Sequence, residues 1–400
     1  MFPAASRLAV VAALFPGLLA AADPTPHVAP SRPNGGALTT SAPAPAPVQR
    51  PASAASSRLA SLPILHVAGM ELIGLRDVAA MLGWKMDWAE SARRLTLTGN
   101  GGRVEMTSGS REASVNGLRL FLGHPTVQKS GALYLTKTDF QRELMPLLEP
   151  PLLGPLLGRP RIVVIDPGHG GADQGMENRP LGLKEKILTL DVAQRLKKLL
   201  EGRGYKVVLT RNDDRMLGPD KQTDSATRKQ ADFMARWDIA NRAKADLFVS
   251  IHFNSLYPDT KTSGTEVYTF TRAGQRSDKA WGFSEKDDAE TTPAEVNRFD
   301  PWSSLLAHSL HREVIGALKT YDRGQKTMHS AVLRGLKCPA VLVESVFLSN
   351  DAEARHAATP EYRQQMAEAL ASGIGAYADV LERLSPKSPA PNPKTSPSKT

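Results

Sequence analysis

Hydrophobic positions follow two different rhythms along this 400-residue chain. Between residues 59 and 149 they come in short groups. Ile73, Leu75, Val78, Ala79 and Leu82 recur at helical spacing ahead of Gly83, which predicts a helix over 73–84. Short β-prone runs follow at 84–88, 94–97, 103–106, 113–115 and 126–135. They are separated by turn residues such as Gly99, Asn100, Gly101, Gly102, Asn116 and Gly117. The expected unit is a small α+β accessory domain over 59–149.

From residue 160 to 384 apolar β-type runs alternate with longer helical patterns. Strands are expected at 161–165, 205–209, 247–252, 266–270 and 340–344. Helices are expected at 185–201, where Leu188, Val192, Leu196 and Leu199 share a face, and at 227–243, 303–321 and 361–384. That alternation predicts an α/β domain with a largely parallel sheet flanked by helices.

The ends have no such rhythm. Arg7, the apolar stretch 8–19 and the small residues Ala20, Ala21 and Ala22 fit an export signal over 1–22, too short and too broken by Pro16 to span a bilayer. Residues 23–58 and 385–400 are rich in Pro, Ser, Ala and Thr and bury too little apolar surface to offset their ordering entropy, so both are expected to be disordered. The mature chain is therefore expected outside the cytoplasm, periplasmic or extracellular, with no transmembrane span.

Charge adds one constraint. Fifty Lys and Arg against 41 Asp and Glu give a net +9, which suits polyanionic surroundings, including an acidic cell-wall polymer. The basic residues are interleaved with acids and form no aromatic-lined groove, so nucleic acid is not an expected partner. The single cysteine, Cys338, excludes an internal disulfide; it precedes Pro339 and an apolar run and is read as a core residue.

In open α/β sheets ligands bind at the carboxyl ends of strands. There the chain places His169 in a Gly-rich loop after the first strand, His252 after the third and Glu344 after the last, while Glu185 opens the first helix. Two imidazoles and one carboxylate form the ligand set of many catalytic zinc sites. Singly, each has a structural reading: a loop histidine, an acid favouring a helix N-terminus, and, for Glu344, an ion pair with a residue such as Arg334. Their convergence on one sheet edge favours the metal reading, with Glu344 as general base. His66 and His124 stand apart and have no companions.

The runs IVVIDPGHGGADQG, LKEK, ADLFVSIHFNS, FMARWDIAN and AVLRGLKCPAVLVESVFLSN together resemble the zinc-dependent N-acetylmuramoyl-L-alanine amidases (amidase type 3) over about 161–384. The resemblance implies Zn2+ held by His169, Glu185 and His252, Glu344 as the catalytic glutamate, and peptidoglycan as substrate, cut between N-acetylmuramic acid and L-alanine. Val346 stands where relatives often carry glycine, which leaves the catalytic position intact. The segment 59–149 resembles loosely the copper amine oxidase N-terminal domain, implying docking or binding without a copper site. Relatives with an insertion at 272–300 suggest a lid or a docking place for a protein activator, against a plain surface loop. Two other readings compete: a non-catalytic cell-wall binding protein, and another envelope zinc peptidase or deacetylase.

Overall fold

A computed structural model describes residues 61–385, apart from 90, 92, 100, 154–156, 219–224, 272–274 and 279–297. The expected signal segment, the linker and nearly all of the tail lie outside the described residues. In the N-terminal module β1 (Ile64–Val67) and β2 (Met70–Gly74) lead into α1 (Leu75–Leu82), which stops at Gly83 in the left-handed conformation, as helix ends often do. Then come β3 (Lys85–Ala89), β4 (Arg94–Gly99), β5 (Gly102–Thr107), β6 (Glu112–Val115), β7 (Leu118–Phe121), β8 (Val127–Lys129) and β9 (Ala132–Thr136). A helical run, Lys137–Asp139, Phe140–Leu144 and Met145–Leu148, closes the module.

The C-terminal domain contributes β10 (Ile162–Pro167), the small hairpin β11 (Glu177–Asn178) and β12 (Leu183–Lys184), α2 (Glu185–Gly202), β13 (Lys206–Leu209) and α3 (Ser225–Arg242). It continues with β14 (Leu247–Asn254), β15 (Thr265–Phe270), α4 (Asp300–Leu318), β16 (Asp322–Met328), α5 (Ala331–Arg334), β17 (Ala340–Phe347), α6 (Asp351–Ala358) and α7 (Pro360–Leu384). Among the described residues no helix is long and apolar enough to cross a membrane.

One eleven-stranded sheet runs through both parts in the order β13-β10-β14-β17-β15-β16-β7-β6-β5-β4-β3, while β1-β2-β9-β8 form a separate four-stranded sheet. The large sheet is mixed, not largely parallel. β13, β10, β14 and β17 are parallel, β15 is antiparallel to β17, and β7 to β3 form an antiparallel meander. The cause is local. Residues 255–264 join β14 to β15 without a crossover helix, and a parallel return needs a longer crossover connection, usually a helix.

The two faces of the C-terminal sheet bury different sets. Val163, Ile165, Val249, Ile251, Val341 and Val343 pack against α2, α4 and α7, in a core continuous with that of the module. Val164, Phe248, Ala340 and Leu342 face the other way, towards Ala240 of α3, Val332 and Leu333 of α5 and the buried Cys338. Burial pushes the Cys338 thiol up to about 12, so it is an inert core group.

Candidate metal centre

β10 ends in Asp166-Pro167, and after Gly168 the chain turns so sharply that His169 adopts a left-handed φ of 63°. Two buried arginines hold the turn. Arg236 of α3 donates to Asp166 Oδ1 at 2.7 Å, to the Pro167 carbonyl at 2.9 Å and to the His169 carbonyl at 2.9 Å. Arg211 donates to the carbonyls of Pro167, Gly168 and Lys186, tying the turn to the start of α2. Burial disfavours the Asp166 carboxylate, but Arg236, Thr210 and Ser250 outweigh it and hold its pKa below the usual value.

The turn and α2 bring the expected ligands together. His169 Nε2 lies 3.0 Å from Glu185 Oε2, and His252 Nδ1 lies 3.0 Å from Glu185 Oε1. The imidazoles meet edge to face with centroids 4.9 Å apart. The candidate ligand atoms of His169, Glu185 and His252 all lie within 4.8 Å of one another. Glu185 is 4% exposed and also accepts from the amides of Met176 and Phe253. Asp173 Oδ1 sits 3.0 Å from His169 Nδ1, the outer carboxylate contact by which metal-binding imidazoles are commonly oriented.

Neighbouring backbone is shaped around this cluster. A Cβ on Gly168 would stand 2.3 Å from the His252 ring, and one on Gly175 would meet Glu185 Oε2 at 2.5 Å and His169 at 2.7 Å. The field favours a cation: burial opposes protonation of His169, yet Glu185 and Asp173 raise its pKa to about 10. Glu185 itself is held well below the carboxylate range, burial being outweighed by the two histidines.

Glu344 is the register partner of His252 on the adjacent parallel strands β17 and β14, so both side chains project from one face of the sheet. It is 5% exposed. Arg334, the residue named as a possible partner, lies with its guanidinium over the Phe270 ring at 6.0 Å. All four expected site residues thus gather at one sheet edge. His66, by contrast, is exposed and only 4.0 Å from Glu71. Most of the expected lid, 279–297, lies outside the described residues.

The family model described as N-acetylmuramoyl-L-alanine amidase matches residues 163–376, more than half of the chain. The chain belongs to the N-acetylmuramoyl-L-alanine amidase family. The model for the copper amine oxidase N-terminal domain matches residues 59–144, so the module likeness also holds. Among relatives of the amidase domain, AmiC of Escherichia coli O6:H1 is 30% identical over 260 residues, 60% of this chain and 58% of that protein. A germination-specific amidase of Bacillus subtilis is 30% identical over 224 residues, 56% of this chain and 81% of that protein. The solved structure of an N-acetylmuramoyl-L-alanine amidase from Clostridium difficile 630 is 27% identical, covers 56% of this chain and 98% of that one, and has a TM-score of 0.43. The chain spans only about half the length of several curated relatives it matches, 58% and 55% for the AmiC proteins of E. coli and Neisseria meningitidis.

Sequence reasoning did not single out Asp166, Asp173, Arg211, Arg236 or Glu266. Three of these lay inside quoted runs, Asp166 and Asp173 in DPGHGGADQG and Arg236 in FMARWDIAN, but their partners are up to 70 residues away. Glu266 is the second residue of β15, and nothing in its neighbouring sequence marks it as buried and paired.

Proposed function

We propose that this chain is an exported peptidoglycan hydrolase that cleaves the amide between N-acetylmuramic acid and L-alanine of the stem peptide, using a zinc ion and Glu344. The observation that carries the reading is the clustering of His169, Glu185 and His252 within 4.8 Å, with Glu344 in register beside His252. The donor set, two imidazoles and a carboxylate, fits a catalytic zinc site with a position left open, and the Cβ-free cradle at Gly168 and Gly175 leaves the ligands room to converge. Zinc bound there supplies Lewis acidity and lowers the pKa of water from near 16 to about 7.

The protein's own groups do the rest. Asp173 fixes the His169 ring through Nδ1, so that Nε2 faces the cluster. Arg236 and Arg211 hold the carbonyls of the turn, so the ligands are preorganised before substrate arrives. Glu344 accepts a proton from the attacking water as the carbon–oxygen bond forms. It then hands that proton to the alanine nitrogen as the carbon–nitrogen bond breaks, because an amine anion is a very poor leaving group. The products are a muramoyl carboxylate and a stem peptide with a free amino terminus.

Digesting purified peptidoglycan and identifying the new termini by mass spectrometry tests this. The expected outcome is peptide beginning with free L-alanine, with Glu344→Gln lowering kcat by about 10²–10⁴-fold while the protein keeps its metal. Release of fragments in which the muramoyl–alanine bond is intact would point to a different envelope hydrolase. Tight wall binding without any cleavage would favour a non-catalytic binding protein.

A further inference from the structure

On the metal face the sheet continues past Glu344. Glu344 is the register partner of Glu266 on β15, and Tyr268 of β15 pairs with Lys326 on β16. Adjacent strands lie about 4.8 Å apart, so β16 runs roughly 10 Å from the strand that carries Glu344. Glu266 is 3% exposed and accepts from Asn254 Nδ2 at 2.9 Å, Arg323 Nε at 2.6 Å, Lys326 Nζ at 2.8 Å and the Tyr268 hydroxyl. Its charge is therefore fully engaged.

The two cations that hold it are not equivalent. The Lys326 side chain is 12% exposed and its ammonium also lies 5.1 Å over the Phe121 ring of β7. The Arg323 side chain is 27% exposed, and its guanidinium lies 5.1 Å over the Phe347 ring. Arg323 is bonded through Nε alone. Among the described residues its two terminal nitrogens, the fork that takes a carboxylate in bidentate fashion, make no hydrogen bond. Glu353, a second acid close enough to interact with Arg323, gives its oxygens to the amides of Gly264 and Phe347. The module steadies this strand, because the Arg119 amide donates to Asp322 Oδ2 at 2.9 Å and Arg119 Nη1 to the Asp322 carbonyl at 3.1 Å.

We propose that Arg323 is a specificity-determining residue that binds a free carboxylate on the peptide side of the substrate, on the residue after the one whose amide is cleaved. The inference rests on the amidase reading above. Two extended residues span about 7 Å, and the arginine side chain covers the remainder of the distance from Glu344. Glu266 would hold the guanidinium by one edge and leave the other for the ligand, while Lys326 keeps Glu266 ionised.

The test compares N-acetylmuramoyl-L-alanyl-D-glutamate with its doubly amidated counterpart on the full chain supplied with zinc. A second readout is the calorimetric affinity of the free L-alanyl-D-glutamate peptide for the metal-free protein. Arg323→Gln is expected to raise KM for the acidic substrate about ten- to a hundredfold, with kcat within about twofold and the amidated substrate unaffected. Peptide affinity should fall by a similar factor, and Arg323→Lys should recover part of both losses. Equal effects on both substrates would show a merely structural arginine and overturn the inference, as would no effect on either. Cleavage of both substrates by the wild-type chain with equal KM overturns the inference and leaves the amidase reading standing. Cleavage of neither overturns both.

Discussion

In the amidase domain Asp166, Glu185, Arg211, Arg236, Glu266 and Glu344 are each at most 5% exposed, and five of the six stand at or beside one edge of the sheet, with Arg236 reaching it from α3. In the module the meander from β3 to β7 encloses Leu95, Leu97, Val104, Met106, Ala113, Val115 and Leu120. Its buried acids, Asp139 and Glu143, lie in the helical run that packs against α4. Glu143 Oε2 is 3.1 Å from Ser304 Oγ, and Gln275 Nε2 is 3.3 Å from both acids. Burying a charge is costly unless it is paired. The contrast teaches that the two parts meet that cost differently: in the amidase domain arginines hold Asp166 and Glu266 and two histidines hold Glu185, each carboxylate staying below its usual pKa, whereas the hydrogen bonds that reach Glu143 come from the neutral Gln275, Ser304 and Gln325. Burial then pushes Glu143 up to about 7, with nearby Asp139 adding to the shift.

The largest expected effect comes from breaking the paired side. Arg236→Ala removes the arginine that pairs with Asp166 and the donor to the His169 carbonyl, which should cost about 3–5 kcal/mol in urea denaturation. A loss under about 1 kcal/mol would show that Thr210 and Ser250 suffice for Asp166.

A smaller effect, of opposite sign, is expected on the unpaired side. Because the folded-state pKa of Glu143 is raised from 4.5 to about 7, the folded protein holds its proton longer than the unfolded chain does. Stability therefore falls as pH rises between these values, and above them the penalty levels off at no more than about 3 kcal/mol. Glu143→Gln should flatten that slope and make the protein more stable than wild type above pH 7, with little change below pH 4.5. Parallel stability curves for the two proteins would contradict the neutral-donor account.

Much of this contrast was legible in the chain. The apolar runs before His252 and Glu344 gave β14 and β17, and the Gly-rich turn around His169 marked the site, because such runs and turns carry their reasons locally. β16 was not legible. Asp322, Gln325, Lys326 and Thr327 look like loop residues, and they form a strand because Arg119, Ser304, Glu266 and the carbonyl of Arg276 answer them from elsewhere in the chain. The expected single strand over 126–135 is a hairpin folded at Ser130 and Gly131, and part of the expected helix at 73–84 is strand β2. The helical run from Lys137 went unseen because Pro146 and its polar residues hide its periodicity. Strand direction, which makes the sheet mixed, is set by the helix-free connection 255–264 and the short turns of the meander, which the alternation of strand and helix runs does not by itself distinguish from helical crossovers.

Metal content measured together with catalysis tests the central claim most directly. Full-length protein stripped with a chelator should release no free L-alanine amino termini from peptidoglycan, and should regain full activity at one zinc ion per chain, with His252→Ala binding zinc at least tenfold more weakly. Undiminished cleavage by protein shown to be metal-free, or full zinc affinity in His252→Ala, would contradict a centre built from His169, Glu185 and His252.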